Sequence, residues 1–386
     1  MGIQGLSKLL NDNAPRCVKD HKMDYFAGRK IAVDASMQIY QFLIAVRQGG
    51  GEGQLTNEAG EVTSHLTGML YRTIRMMEAG IKPVFVFDGK APTMKSGELA
   101  KRKERQQTAE AELAKLQENG GSVEDIERQQ KRIVRASREQ SEEVKTLLTL
   151  MGVPVVDAPC EAEATCAALA KAELVYATAT EDMDALTFAT PRLIRNLNAA
   201  EARKLPITEF DLETALGPDG LNISLEQFTD LCILCGCDYT NSIKGIGPVR
   251  ALAMIREHGS LEGVLAQLHK KHAPEQLQEM IPDPFPFEEA RRLFREPEVI
   301  DVSQCSFKWG EPDVEGLKKY LVEEKQFAEE RVAKAIERLK KCKGKHTQNR
   351  LEDFFGKATV VLAQKRKEPD TKKGGKGKAP AKKGKK

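Results

Sequence analysis

Three short apolar runs in this 386-residue chain each lead into aspartate, and that shared ending limits the fold more than any other feature. Lys30-Ile31-Ala32-Val33 leads into Asp34, Pro83-Val84-Phe85-Val86-Phe87 into Asp88, and Leu174 through Thr180 into Glu181-Asp182-Met183-Asp184. Runs of this kind fit strands buried on both faces. Between the first two, residues 63–79 place Leu66, Leu70, Ile74 and Met77 at helical spacing. Strand, helix, strand is the pattern of a parallel sheet, so the expected fold class is α/β, with a mainly parallel central sheet flanked by helices. Ligands of such sheets bind beyond the carboxyl ends of the strands. The aspartates should therefore gather along one rim.

Residues 89–140 interrupt this pattern with a polar stretch rich in Lys, Arg, Gln and Glu, broken at Asn119-Gly120-Gly121. Two helices joined by a turn fit it, standing away from the core because no wide apolar stripe is present. Its cations cluster at both ends, with Lys95, Lys101, Arg102, Lys103 and Arg105 on one arm and Lys131, Arg132, Arg135 and Arg138 on the other. Met151 through Pro159 then reads as a strand and the start of a helix, with Asp157 as cap and Pro159 in the first turn. Glu161 and Glu163 fall near that helix's start, where acids are also favoured by the helix dipole. Residues 225–258 read helix, turn, helix, and further helices follow to about residue 340.

Charge is divided unevenly. Residues 361–386 hold eleven Lys or Arg and two acids, whereas the preceding 360 residues hold 49 basic and 55 acidic side chains. The tail's last stretch, residues 365–386, has almost no apolar residues and is expected to be disordered; it suits nuclear import through Lys365-Arg366-Lys367, loose phosphate contact, or plain solvation. A mean hydropathy of −0.45, with no apolar run near the ~18 residues of a membrane span, argues for a soluble protein and no membrane partner. The N-terminus does not read as a secretory signal. The eight scattered cysteines then suit a reducing compartment inside the cell.

Asp34, Asp88, Glu161, Glu163, Asp182, Asp184 and Asp238 could each be a cap or a surface charge. Gathered after core elements, seven carboxylates without counterions would cost several kcal/mol and raise their pKa values. Hard divalent cations remove that cost, and oxygen-only ligands suit Mg²⁺ or Mn²⁺. Two such ions leave a formal charge of −3, a better balance than one ion gives. A pair of ions about 3.5–4 Å apart can activate water and stabilise the leaving oxygen of a phosphodiester. The turn Gly245-Ile246-Gly247-Pro248 adds a bare backbone ahead of a helix, suited to a phosphate.

At this point long motifs accumulate in one order: MGIQGL, IAVDASMQIYQFL, KPVFVFDGKAPTMKSGELAKR, DAPCEAEA, ATEDMDALTF and CDYTNSIKGIGP. The chain closely resembles the eukaryotic flap endonucleases of the XPG/Rad2 superfamily over nearly its whole length. The resemblance implies a gateway or arch at 89–140 through which a single-stranded 5′ end passes and a helix-turn-helix DNA-binding element. The implied divisions are an N-terminal nuclease region at 1–107, an internal one at 141–258, a helical remainder of the core at 259–340, and a clamp-binding motif with a disordered tail at 341–386.

The resemblance also assigns roles, residue by residue. The seven acids would hold two Mg²⁺, with Asp34, Asp88, Glu161 and Glu163 on one side and Asp182, Asp184 and Asp238 on the other. Lys95 and Arg102 match the cations that contact the scissile phosphate. Tyr40 matches a stacking ring, and the amine of Gly2, freed by loss of Met1, would lie near the site. Thr63, Arg72, Lys325, Phe327 and Arg331 match a pocket for a one-nucleotide 3′ flap. Ser242, Ile243 and Ile246 match a turn that holds K⁺ against the duplex, with Gly236, Gly245 and Gly247 beside it. Arg47, Lys131 and Arg132 complete the implied DNA contacts.

Gln348, Leu351, Phe354 and Phe355 fit the pattern that binds the sliding clamp PCNA. A monomer is expected, with up to three copies on a trimeric clamp. The implied activity is cutting of 5′ flaps, with 5′→3′ exonuclease action at nicks and gaps, during Okazaki-fragment maturation and long-patch base excision repair. The expected location is the nucleus, both nucleoplasm and nucleolus, with a mitochondrial share also compatible. Two alternatives stay open: a catalytically silent clamp-tethered scaffold, and a related 5′-exonuclease or bubble-cutting repair nuclease. The chain departs from the family at Cys232, Cys235 and Cys237, where the last two places more often hold Leu and Ser. Packed thiols fit this run better than a zinc or iron–sulfur site, which would need a second ligand pair.

Overall fold

A computed structural model describes residues 2–46, 63–199 and 205–344. In chain order, α1 (Leu6–Asn13) precedes β1 (Val18–His21) and β2 (Lys30–Asp34), and α2 (Ala35–Val46) and α3 (Ser64–Glu78) lead to β3 (Lys82–Phe87). The polar stretch forms α4 (Ser96–Glu118) and α5 (Val123–Ile133), followed by α6 (Arg138–Leu150), β4 (Val155–Asp157), α7 (Ala162–Lys171), β5 (Ala177–Ala179) and α8 (Asp184–Thr187). Next come β6 (Arg192–Arg195), β7 (Ile207–Asp211), α9 (Leu212–Leu216), α10 (Leu225–Cys235), α11 (Pro248–His258), α12 (Leu261–Lys271), α13 (Pro274–Met280) and α14 (Phe287–Arg295). α15 (Val314–Lys318) and α16 (Glu329–Gly344) close the described chain.

Among the described residues, seven strands form one sheet in the order β1-β7-β6-β5-β2-β3-β4. The run from β6 to β4 is parallel. β7 pairs antiparallel with both β6 and β1, so the antiparallel strands lie at one edge. Alternation on β2 and β3 explains why both faces are covered. Ile31, Val33, Phe85 and Phe87 enter an apolar cluster with α3, α6 and α16, while Ala32, Val84 and Val86 point to the opposite layer with α7. On α3, Leu66, Leu70 and Ile74 are buried as their spacing predicts, each such side chain contributing about 1.5–3 kcal/mol of burial. A third cluster joins α1 to α8 through α14. Among the described residues no helix is long and apolar enough to cross a membrane.

Two expectations about local structure are corrected. The third strand spans only Ala177–Ala179 rather than the whole run from Leu174, because Glu173 and Leu174 donate back to Ala170 and Leu169 and thereby close α7. Asp157 is the last residue of β4 and not a helix cap. The Ala158 N–H continues the ladder by donating to the Phe87 carbonyl at 2.9 Å, which delays the helix to Ala162, and the Asp157 carboxylate instead meets Lys145 at 2.6 Å.

Candidate metal centre

Asp34 ends the central strand β2 and is buried. Its Oδ1 accepts from the Met37 N–H and its Oδ2 from the Thr180 hydroxyl, both at 2.9 Å. Asp88, one residue beyond β3, accepts from the Ala162 N–H at 2.8 Å and so anchors the N-terminus of α7. Glu161 stands at that helix's N-cap position, yet its side chain caps nothing. Its two oxygens accept from the Lys95 ammonium and from the Tyr239 hydroxyl. Helix capping therefore does not account for Glu161. Asp182 and Asp184 follow β5 and are buried, with the Asp184 N–H donating to Asp182 Oδ1 at 3.0 Å.

Lys95, just ahead of α4, and Arg102 within it reach this rim. Lys95 lies 3.1 Å from Asp238 Oδ2 besides pairing with Glu161, and Arg102 donates to the same Asp238 oxygen at 2.7 Å. Burial pulls the Lys95 ammonium down, but Glu163, Glu161 and Asp238 outweigh it and hold its pKa well above the ordinary value. Asp34, Glu163 and Asp184 shift toward their neutral forms. Burial first, then Asp88, raises Asp34 to about 7. Burial, with Asp34, Asp88 and Asp182 next, pushes Glu163 well up, and burial with Asp182 and Asp238 does the same to Asp184. A cluster that resists its own ionisation is short of positive charge.

Among the described residues, no three His, Cys, Asp or Glu side chains converge closely enough to grip one ion unaided. Lys95, set between Glu161 and Asp238, supplies a cation there instead. Two observations nevertheless fit a hard divalent ion. Asp184 Oδ1 is buried without a hydrogen-bond partner among the described residues, and the candidate ligands are all carboxylate oxygens, the set Mg²⁺ takes while keeping water and substrate oxygens in its shell. Gly2 adds a third. Its φ is +73°, and a Cβ there would lie 1.9 Å from Asp182 Oδ1 and 2.4 Å from Asp184 Oδ1, so only a bare backbone can approach these acids so closely.

The other candidate residues fall in three places. Ile243 and Ile246 are buried beneath the α10–α11 turn, and Ser242 is half-buried beside Gly236, whose added Cβ would meet Ser242 Cβ at 3.2 Å. Gly245 has φ +82°, and neither it nor Gly247 has an atom within 4 Å of where a Cβ would go. The turn thus presents open backbone. Thr63 is buried just ahead of α3. Two residues on, His65 shares Glu143 with Lys325, the His65 contact being 2.6 Å. Tyr40 and Phe327 pack on the same apolar cluster, Arg72 reaches the Gln38 carbonyl, and Arg331 is exposed in the first turn of α16. In the third place, the α4–α5 pair, Arg132 joins Glu112 at 3.4 Å to Gln129 at 2.8 Å.

Lys131 lies on α5, but its side chain is outside the described residues, as are Arg47 and the clamp pattern Gln348, Leu351, Phe354 and Phe355. All eight cysteines are free thiols, and burial raises Cys232, Cys235 and Cys237, the last two to about 12. They pack as protonated side chains. Sequence reasoning missed the roles of Thr180 and Tyr239. Their partners lie 146 and 78 residues away, and no local spacing signals such pairs.

Known proteins resemble this chain over nearly its whole length. The XPG N-terminal domain matches residues 1–109 and the XPG I-region matches residues 152–238, which together carry all seven acids. Flap endonuclease 1 of Micromonas commoda is 54% identical over 387 residues, covering 100% of this chain and 98% of that protein. Flap endonuclease 1 of Xenopus tropicalis is 55% identical, with coverages of 98% and 96%. Among solved structures, flap endonuclease-1 of Methanococcus jannaschii superimposes with a TM-score of 0.64 at 29% identity, over 88% of this chain and 98% of that one. The catalytic core of Rad2 in complex with DNA substrate gives a TM-score of 0.66 at 28% identity, covering 88% and 100%.

Proposed function

The chain belongs to the flap endonuclease family, a nuclease family acting on DNA, and from that premise we propose that it cuts 5′ flaps by hydrolysis assisted by two divalent cations, Mg²⁺ or Mn²⁺. The observation that carries this reading is a row of mutually repelling carboxylates, Asp34, Asp88, Glu163, Asp182 and Asp184 among them, bordered by Glu161 and Asp238, which pair with Lys95 and Arg102. Asp34, Asp88, Glu161 and Glu163 would hold one ion and Asp182, Asp184 and Asp238 the other. Bound cations supply an activated water and stabilise the departing oxygen. Lys95 and Arg102 supply fixed positive charge toward the phosphoryl oxygens, where charge builds up. Gly2 brings its backbone against Asp182 and Asp184, and a free amine there adds a further cation. The test is cutting of a labelled double-flap DNA: Mg²⁺ supports it and EDTA abolishes it, whereas metal-independent cutting would overturn the two-cation reading.

The DNA contacts follow the same premise. The open backbone of the α10–α11 turn suits a duplex phosphate, with K⁺ at Ser242, Ile243 and Ile246, and the surface near Thr63, Arg72, Lys325, Phe327 and Arg331 suits a 3′ flap. Nicked and gapped duplexes would be exonuclease substrates, placing the activity in Okazaki-fragment maturation and long-patch base excision repair. Lys365-Arg366-Lys367 supports nuclear import, and a mitochondrial share is compatible with the same activity. Gln348, Leu351, Phe354 and Phe355 would tether the monomer to the sliding clamp PCNA, leaving room for three copies per trimeric ring. Paired aromatic anchors commonly carry at least ~2 kcal/mol each in such pockets. Replacing both Phe354 and Phe355 with Ala should abolish stimulation by the clamp and leave clamp-free cutting intact; equal loss in both assays would contradict a tether.

A further inference from the structure

Glu161 differs from Asp34, Asp88 and Asp182 in how it is held. Asp34, Asp88 and Asp182 each accept from a backbone N–H that is fixed by secondary structure, whereas Glu161 has three rotatable side-chain bonds and, among the described residues, accepts from two side chains, Lys95 and Tyr239. Of these, Lys95 cannot be a lasting anchor if it turns to a substrate phosphate, the role given to it above. Tyr239 can. It is 6% exposed, its ring lies 4.8 Å from that of Phe294, and Phe294 lies 5.2 Å from Phe188 within the α1/α8–α14 cluster.

Resting on the metal-dependent reading above, we propose that Tyr239 is a positioning residue for the reaction: its hydroxyl holds Glu161 Oε2, which would leave Oε1 available to a divalent cation in competition with Lys95. Tyr239 follows Asp238 directly, so one loop provides an acid on one side of the centre and holds an acid of the other. The hydrogen bond therefore ties the start of α7 to the α10–α11 turn and keeps the two halves of the centre in register. Partners that orient metal ligands in this way commonly matter by 10–100-fold in affinity or activity.

Tyr239→Phe removes the hydroxyl and keeps the ring against Phe294, so the fold is retained. In the full-length chain, Mn²⁺ binding followed by electron paramagnetic resonance without DNA should show its midpoint raised about 10-fold. The single-turnover rate on a double flap should fall by about 10-fold, with the flap Kd within about twofold and Tm nearly unchanged. Wild-type Mn²⁺ binding and cutting in the variant would overturn the role of Tyr239 alone. So would a slower rate accompanied by a lower Tm and an unchanged Mn²⁺ midpoint, the signature of a packing defect. A wild-type chain that binds no Mn²⁺ would overturn the metal-dependent reading and this inference with it.

Discussion

Asp182→Ala should lower flap cleavage in Mg²⁺ by about 10³-fold, because losing a carboxylate that organises the cations removes several kcal/mol of charge stabilisation, and each 1.36 kcal/mol is tenfold in rate. Flap affinity should be kept or tightened. DNA binding draws on phosphate contacts, and Asp182 contributes only repulsion to them. The same residue makes a test by stability. Burial is the largest cause that raises its pKa, so its share of folding stability is present below the ordinary carboxylate pKa and is lost as pH rises through the higher folded value. Asp182→Asn, which still accepts from the Asp184 N–H, escapes that loss. In EDTA at pH 8 it should melt above the wild type, and the rise in Tm that Mg²⁺ gives the wild type should shrink. Unchanged cleavage in Asp182→Ala, checked by single-turnover kinetics, would sink the site assignment.

Lys95→Ala should cost about 10²–10³-fold in the single-turnover rate, the scale found when one preorganised donor to developing charge is removed. The effect should separate cleanly from metal binding. Lys95 sits where it competes with a cation for Glu161 and Asp238, so the Mn²⁺ midpoint of the variant should be equal to or lower than that of the wild type. Its absence should also be felt without metal. The Lys95 and Glu161 side chains are 12% and 8% exposed, and breaking one side of so buried a pair commonly costs about 3–5 kcal/mol. Melting in EDTA should therefore fall sharply and be restored largely by Mg²⁺. A wild-type rate in this variant would remove Lys95 from the chemistry. A wild-type melt in EDTA would show that the ammonium does not balance the acids.

The parallel core was legible because its strands are apolar on both faces and its helix α3 carries a regular stripe at Leu66, Leu70 and Ile74. The rim position of Asp34 and Asp88 followed from strand ends, which local hydrophobicity marks well. The antiparallel pair of β1 with β7 was not legible: Val18-Lys19-Asp20-His21 is a short, mostly polar edge, and its partner lies nearly two hundred residues away. Asp157 misled because an acid before proline resembles a helix start, whereas the Ala158 N–H goes to the Phe87 carbonyl and prolongs the sheet. The acids themselves could be named from the sequence, but what holds them could not. Thr180, Tyr239 and the arrival of Lys95 and Arg102 at Asp238 are tertiary pairings that leave no periodic trace.

The most direct measurement of the central claim is cleavage, in Mg²⁺, of one labelled double-flap DNA beside single-stranded, nicked and bubble DNAs of matched sequence, with products mapped to the nucleotide. The proposed passage of the 5′ end between α4 and α5 and the proposed duplex contact at the α10–α11 turn predict cutting confined to the flap junction, weaker exonuclease action at the nick, and little on the single strand or bubble. Tight binding of the double flap with no cutting would contradict the account and leave the chain a DNA-binding scaffold, and preferred cutting of the bubble would contradict the flap specificity.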